Sequence, residues 1–508
     1  MSKSLRHRLL TATVGLGVAF GLIGPAVAET LADALAAAYQ NNPTLQAQRA
    51  TQRAIDENYV QARSGWRPTL TFQAQGLYEE FRTPRGARAP GQPTKTRGNS
   101  GLAQLTFTQP LWTGGRTAAA VSAANADVLQ GRENLRRLES QVMQAVIQAY
   151  VDVRRDQQNL IIQQENVKVL QAQLEESRAR FDVGEITRTD VALSQARLAA
   201  SQAQLQTVLA QLEISRASYA ALVGRNPGDL APEPSLAYLM PANVDEAFGV
   251  AEQNSPVLRA QQFAEAASRA RVAGARAERM PNVSFQAIGR AAGGPVDPFD
   301  QGIYRNEATA AATVTVPLFS GGLTSSRIRQ SIERNNADRI TVEAQRRNVL
   351  QSITQAWNQL IAARANVVST EEQARAAKIA AEGMHEEEKV GLRSTLDVLN
   401  AEQELRAAQL SQVTARHDEY VAASSVLAAM GRLEARNLIP TEAQYDPKAN
   451  FRRLRVTWGW VPWEEPIGVV DRAVAYPPIS TVREPAREPA IAPGLQPPPA
   501  APAAQPAR

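Results

Sequence analysis

The sequence predicts a mainly α-helical chain built from two copies of one unit, each with a long coiled-coil hairpin and two β-strands. Three observations support this fold class. The chain carries a tandem internal repeat, it has two proline-free stretches of 67 residues, and short segments before each stretch alternate apolar and polar residues. A helix of that length is about 100 Å long, which favours an extended hairpin over a compact domain.

The internal repeat consists of segments of the first half that recur in the same order in the second half. The matching pairs are 34–47 and 247–260, 67–72 and 280–285, 110–115 and 317–322, and Gly224 and Gly431. The offset is 213 positions for the first two pairs and 207 for the others. The length difference therefore falls within a single loop, as expected of a duplicated unit.

The chain begins with the features of a secretory signal peptide. Arg6 and Arg8 precede the apolar run Leu9–Phe20, and Ala26-Val27-Ala28 offers a small-residue cleavage site. A membrane anchor is the alternative, but the apolar run is short and interrupted by glycine. An exported chain of this kind is either soluble or inserted as a β-barrel.

Each unit shows the same succession of signals. A helix of about 20 residues opens at Asn42-Pro43 or Ser255-Pro256, because a polar cap followed by proline favours a helix start. It ends before Pro68 or Pro281, since the residue before a proline leaves the α region. Two alternating strands with an exposed loop between them follow, and a Gly-Gly turn then leads into the long hairpin.

The predicted boundaries follow from these signals. The chain divides into a signal peptide at 1–28, a first repeat at 29–225, a linker at 226–242, a second repeat at 243–435 and a tail at 436–508. The first repeat is predicted to contain strands at about 69–81 and 101–110 and a hairpin at 117–222. The second repeat is predicted to contain strands at about 282–290 and 308–317 and a hairpin at 323–431.

The returning helix of the first hairpin has apolar residues at every seventh position, which is typical of a coiled coil. These residues are Val191, Leu198, Leu205, Leu212 and Tyr219. The second copy keeps Val398 and Leu405 but continues with Gln412 and Glu419, so we expect its seam to be weaker or shifted.

Composition argues against an enzyme. Cysteine is absent, which excludes disulfides and thiolate sites, and only three histidines occur in 508 residues. His385 and His417 stand beside acidic residues in patterns typical of solvated helix faces, so no metal site or cofactor is predicted. The charge of the chain after the signal peptide is nearly balanced and gives no footprint for nucleic acid.

Four strands per chain are too few for a closed barrel, because the smallest outer-membrane barrels use about eight. Open strand edges would also pair with other chains. Closure by several copies of the chain solves both problems, so we predict an oligomer.

The export signal, the tandem repeat, the Pro-Leu-(Trp/Phe)-(Thr/Ser)-Gly-Gly turns and Phe181-Asp-Val-Gly with Thr189-Asp-Val resemble the TolC family of outer-membrane channels. The resemblance covers about residues 29–435. It implies a homotrimer whose 12-stranded barrel lies in outer-membrane lipid and continues as an α-helical barrel through the periplasm. It also implies a passive exit duct that works with an inner-membrane transporter and a periplasmic adaptor. The resemblance does not decide between drug efflux and type I protein secretion. It also leaves open whether the partner is an RND pump or an ABC transporter. A soluble periplasmic coiled-coil scaffold is the alternative from another class.

The same resemblance implies a periplasmic gate at the tips of the hairpins. The matching positions are Thr189, Asp190, Glu388, Arg393, Asp397 and Asn400. An aspartate repeated around a narrow axis makes an acidic ring that favours cations. Arg393 would bind Thr189 and hold one hairpin against the other.

A simpler explanation exists for the two aspartates. Thr187 and Ser394 each stand three residues before an aspartate, which is the pattern of a helix-capping box. Two positions also depart from the family pattern, which has tyrosine at Glu388 and aspartate at Asn400. We expect Glu388 to face Asp190 and the closure to be weaker or differently built.

The tail differs in composition from the repeats. Trp458, Trp460 and Trp463 are half of the six tryptophans, and the chain from Tyr476 onward is rich in proline and alanine. The end is expected to be disordered or polyproline II. The tryptophans could dock on the helical barrel, contact a partner or touch the membrane.

Overall fold

The structure is a computed structural model that describes residues 28–84, 94–293, 304–454 and 459–473, together with Gly86, Pro90 and Gly91. The predicted signal peptide (apart from Ala28), Trp458 and the Pro/Ala-rich end lie outside the described residues. Within the described ranges, no helix combines the length and apolar content needed to cross a bilayer.

The described residues form eleven α-helices and one four-stranded sheet. The helices are α1 (Leu31–Asn41), α2 (Pro43–Arg63), α3 (Arg116–Asp182), α4 (Arg188–Val223), α5 (Val244–Asn254), α6 (Pro256–Ala277), α7 (Leu323–Lys389), α8 (Thr395–Ala429), α9 (Ala435–Leu438), α10 (Ala449–Leu454) and α11 (Glu464–Ala473). The strands are β1 (Thr69–Arg82), β2 (Lys95–Trp112), β3 (Asn282–Gly293) and β4 (Tyr304–Thr315).

The helices continue the order of the strands. The sheet is antiparallel in the order β1-β2-β3-β4, and these strands connect to α2, α3, α6 and α7. Below α2 lies α4, and the Asn42 side chain joins them by accepting from Thr44 N and Leu45 N and donating to the carbonyl of Leu222. Below α6 lies α8: Gly431, two residues beyond the end of α8, packs so closely against Pro256, the first residue of α6, that a Cβ on Gly431 would lie 3.0 Å from its Cδ. The chain is therefore a layer of four columns.

The sheet has one apolar and one polar face, because directly paired residues share a face. The pairing Leu70–Phe107 places an aliphatic and an aromatic residue together across β1 and β2, and Phe107 packs edge-on against Phe285 of β3. The apolar face comprises Leu70, Phe72, Ala74, Gly76, Leu105, Phe107, Val283, Phe285, Ala287, Ala310, Ala312 and Val314. Within the described residues, the outer edges of β1 and β4 have no strand partner.

Three strands differ in extent from the expectation, and one of them, β3, continues to Gly293 instead of ending near 290. β2 begins at Lys95 rather than near 101, because Lys95 and Arg97 lie beside Glu80 of β1 and form ion pairs at 3.5 and 3.1 Å. β4 runs from Tyr304 to Thr315, so it starts earlier and ends earlier than 308–317. Pro317 explains the early end, because proline cannot donate to a ladder.

The two hairpins are held by different chemistry. In α3 and α4, three polar pairs cross the seam: Ser215 donates to Asp156 at 2.5 Å, Gln163 donates to Ser201 Oγ at 2.9 Å, and Ser177 and Ser194 are 3.2 Å apart. In α8, the residues buried at every seventh position are alanines, namely Ala401, Ala408, Ala415 and Ala422. The seam of the second hairpin is therefore shifted to alanine positions.

The tail forms a strap that follows α2 toward the sheet. Its contacts are, in order, Tyr445 with Tyr39, Asn450 with Asp56, Phe451 with Tyr59, and Glu464 with Arg63 and Arg67. The strap ends where Asp471 is fully buried at the start of α3. The described part of the tail thus docks on the first repeat, while Trp460 and Trp463 remain 42% and 46% exposed.

The Gly-Gly turns of the two repeats are in opposite environments. Thr113 and Gly115 of the first turn are buried beneath α11 and bind Asp471. In the second turn, Leu318 is 92% and Phe319 91% exposed. In the single chain, the edge formed by the second repeat is therefore an uncovered apolar surface.

Candidate gate at the hairpin tips

Each hairpin turns through a short loop that contains a left-handed glycine. α3 ends at Asp182 and α4 begins at Arg188, with Gly184 at φ 78° between them. Gly391 has the same φ of 78° in the loop from α7 to α8. The two tips therefore present equivalent helix starts close to each other.

The aspartates at these helix starts are caps. Asp190 Oδ2 accepts from the hydroxyl of Thr187 at 2.7 Å and from its amide at 3.0 Å, and Asp397 accepts from Ser394 at 2.7 and 3.1 Å. These side-chain and backbone hydrogen bonds hold the pKa of both carboxyls below their ordinary value. Both aspartates are thus ionised helix caps that remain solvent-accessible.

Glu388 is buried between the two hairpins, with only 2% of its surface exposed. Its Oε1 accepts from Thr395 at 2.9 Å and from Arg180 Nη1 of α3 at 3.4 Å. Its Oε2 is buried without a hydrogen-bond partner among the described residues. Arg180 therefore provides the opposite charge that this carboxylate needs, and the expected approach of Glu388 to Asp190 stays a prediction.

Asn400 also lies against an arginine of the first hairpin. Arg197 of α4 donates to Asn400 Oδ1 at 3.3 Å and to Gln403 Oε1 at 2.6 Å. Both positions that depart from the family pattern are thus hydrogen-bonded to an arginine across the two hairpins. The sequence did not single out Arg180 and Arg197, because charged residues are frequent on these helices and neither arginine belongs to a recognisable motif.

The remaining predicted residues lie at the rim of the tips. Thr189 is exposed on the first turn of α4. Arg393 donates to Glu387 of its own hairpin at 2.7 Å. In the single chain, Arg393 is therefore held near the tip by its own hairpin, and its contact with Thr189 stays a prediction.

His417 links the two repeats farther from the tip. Its Nε2 lies 2.8 Å from Asp152 of α3, its Nδ1 lies 2.8 Å from Asp418, and Asp152 also binds Arg155. Both ring nitrogens can donate only when the imidazole is protonated. Burial opposes protonation, but the bonds to the two aspartates outweigh it and raise the pKa of His417. The expectation of a solvated helix face is wrong here, since the side chain is 10% exposed.

Replacing His417 with glutamine should destabilise the protein chiefly at low pH. Because the folded-state pKa is raised, the stabilisation is present below the unfolded value of about 6.5 and is lost as pH rises through the folded pKa. We expect a loss of about 2 kcal/mol at acidic pH that shrinks toward alkaline pH. Urea unfolding across pH measures it, with His385→Gln as the matched control. A pH-independent difference would contradict the protonated contact.

Comparison with known proteins places this geometry in a family. A family model described as outer membrane efflux protein matches residues 34–225 and 248–432. The outer membrane efflux protein BepC of Brucella suis is 35% identical over 89% of this chain and 94% of its own length. The outer membrane protein TolC of Vibrio cholerae is 24% identical over 84% of this chain and 97% of its own.

Solved structures agree on the fold. The crystal structure of the CmeC outer membrane channel of Campylobacter jejuni matches with a TM-score of 0.70 and 15% identity, covering 84% of this chain and 89% of that one. The predicted resemblance and the fold class of long helical hairpins joined to a β portion are confirmed. The chain belongs to the outer membrane efflux protein family and is a protein of the bacterial outer membrane that extends into the periplasm.

Proposed function

We propose that the chain is the passive exit duct of a tripartite export system. Three copies close the sheet by joining β4 of one copy to β1 of the next, and their helical columns form the tube below. The unpaired edges of β1 and β4 and the exposed apolar edge of the second repeat support this assembly. The duct catalyses no reaction, and an inner-membrane transporter with a periplasmic adaptor supplies substrate and energy.

We further propose that the hairpin tips form its gate. The observation that carries this proposal is the pair of arginine contacts between hairpins, Arg180 with Glu388 and Arg197 with Asn400. They tie the second hairpin to the first near the tips. Asp190 and Asp397 line the opening as capped, ionised carboxylates, while Thr189 and Arg393 stand at the rim for contacts with the next copy.

These ties are weak singly and effective together. An exposed contact such as that of Arg197 with Asn400 is worth about 0.5 kcal/mol, so one such tie in each of three copies contributes about 1.5 kcal/mol to the closed state. That energy changes the ratio of closed to open channels about tenfold.

Planar-bilayer conductance tests the gate. Arg180→Ala and the double variant with Arg197→Ala should open the purified channel about tenfold more often or to a wider level, because the closed state loses its ties. Arg178→Ala removes an exposed arginine two residues away and is the matched control. The double variant Arg180→Glu with Glu388→Arg re-forms the ion pair with its charges reversed, so it should restore the closed state.

An Asp397→Ala channel separates gating from capping. If Asp397 belongs to the constriction, the variant should lose cation selectivity and block by divalent ions. Unchanged selectivity would reduce Asp397 to a helix cap, and unchanged conductance in both arginine variants would overturn the proposed ties. No conductance from a properly extracted oligomer would refute the duct itself.

Efflux is the favoured branch of this function. The relative with 35% identity over 89% of the chain is described as an efflux protein. Drug-susceptibility and protein-secretion assays of a deletion strain distinguish the branches, since loss of secretion with unchanged susceptibility would favour type I secretion.

A further inference from the structure

Helix α11 has the reverse of the usual amphipathic arrangement. Its buried face is polar, because Glu464 and Asp471 bind partners on the first repeat. Its outward face carries an apolar strip, with Val469 60% and Val470 54% exposed and Trp463 just before the helix 46% exposed, and the exposed pair Glu465–Arg472 lies to one side of this strip. A surface helix normally turns its charges to water, so this face requires an apolar partner. The matched family segments end at residue 432 and do not include this helix.

The position of α11 shows which side of the layer this face belongs to. Trp463 Nε1 donates to Gln109 Oε1 at 2.9 Å. Gln109 pairs directly with Phe285, so its side chain lies on the apolar face of the sheet. Gln109 also donates to the carbonyl of Trp66, just before β1 begins. α11 thus lies on the apolar side, at the end of the sheet nearest the helices.

We propose that α11 is an interfacial anchor whose outward face, with Trp460 and Trp463, lies in the periplasmic leaflet of the outer membrane. The apolar face of the sheet is the lipid-facing side of an outer-membrane barrel, and the face of α11 continues it toward the periplasm. Tryptophan is favoured at this level because its ring is apolar and its N–H is polar. An interfacial helix inserts about 5–10 Å into the boundary between headgroups and acyl chains.

Continuity with the lipid-facing band favours the bilayer over other occupants of this face. The exposed Leu318 and Phe319 of a neighbouring copy are the main competitor, since they belong to the turn of the second repeat that is equivalent to the turn bound by α11 in the first. The helix is rigidly held, because Glu464 is bound by both Arg63 and Arg67 and Asp471 by the start of α3. An anchor fixed in this way sets how deep the barrel lies.

A cysteine-free chain allows a direct test with single labels. Val470→Cys carries an environment-sensitive fluorophore in the full trimer, reconstituted in phosphatidylethanolamine–phosphatidylglycerol vesicles. Lipids with a nitroxide near the top of the acyl chain should quench it about twofold, and more than lipids with the nitroxide near the chain end. Ala443→Cys, exposed lower on the same tail, is the matched control and should not be quenched.

Phe72→Cys on the apolar face of β1 separates failure of the anchor from failure of the membrane assignment. If the Phe72 label is quenched and the Val470 label behaves like Ala443, the anchor is refuted while the barrel stands. If neither label is quenched, the placement of the sheet in lipid fails as well. A disulfide between Val470→Cys and Leu318→Cys of different copies would assign the face to the neighbouring chain and overturn the proposal.

Discussion

Replacing Asp471 with alanine is expected to release the tail from the first repeat and to lower stability by about 3–5 kcal/mol. This carboxylate is fully buried and takes hydrogen bonds at 2.9 to 3.2 Å from donors of two separate segments. The donors are Thr113 N and Oγ1, Gly115 N, Ala118 N and Trp66 Nε1. The negative charge also complements the N-terminus of α3. Thermal unfolding and limited proteolysis of the tail measure the loss.

Asp446→Ala is the matched control for this change. Asp446 lies in the same tail and binds Arg452 at 2.5 Å and Lys448 N at 2.8 Å, but it is solvent-exposed. We expect little or no loss of stability, because exposed ion pairs contribute little to folding. Equal stability of the Asp471 variant and the native chain would show that the tail is held without this carboxylate.

Gly114→Ala is expected to impair folding strongly, whereas Gly321→Ala at the equivalent position of the second repeat is not. Both glycines have positive φ, 68° and 59°, so each substitution costs about 1 kcal/mol in backbone strain. A Cβ on Gly114 would lie 2.5 Å from Met280 Cβ and 3.0 Å from the carbonyl of Pro281, while a Cβ on Gly321 meets open space. Overpacking adds about 1–3 kcal/mol at Gly114 alone.

Urea unfolding followed by helical circular dichroism measures both variants. Gly114 of the first repeat lies against Met280 and Pro281 of the second repeat. The residues equivalent to these two in the first repeat are Arg67 and Pro68. In a closed ring, Gly321 would therefore lie against Arg67 and Pro68 of the next copy. Gly321→Ala should therefore lower the yield of trimer more than the stability of the fold. Equal destabilisation by the two variants would contradict this difference between the repeats.

Much of the architecture follows from periodicity and turn chemistry. The repeat, the Gly-Gly turns and the proline-free stretches indicated two hairpins and four strands, and Thr187 and Ser394 indicated the caps of Asp190 and Asp397. The seam of α8 could not be found in this way. Its buried residues are alanines, which are equally common on exposed faces of these helices, so hydrophobic patterns do not distinguish them.

The docking of the tail and the contacts at the gate could not be predicted from the sequence. Glu464 and Asp471 look like surface residues in the sequence, because the arginines and amides that bind them are about 350–400 positions away. The same holds for Arg180 and Arg197, whose partners stand in the other repeat. Pairings between distant charges leave no local signal, whereas caps and coiled-coil seams are local.

The different seams of the two hairpins have a mechanical consequence. Sliding α4 along α3 breaks the three polar pairs at Asp156, Gln163 and Ser177, each worth about 1 kcal/mol, so the first hairpin has one preferred register. Sliding α8 along α7 exchanges each buried alanine contact for a similar one, so the register there depends on the bond from Thr395 to Glu388 at the tip and on the exposed Arg416–Glu371 pair. We therefore expect the second hairpin to change register more readily than the first, so that duplication followed by divergence would give the duct wall a stiffer half and a more compliant half.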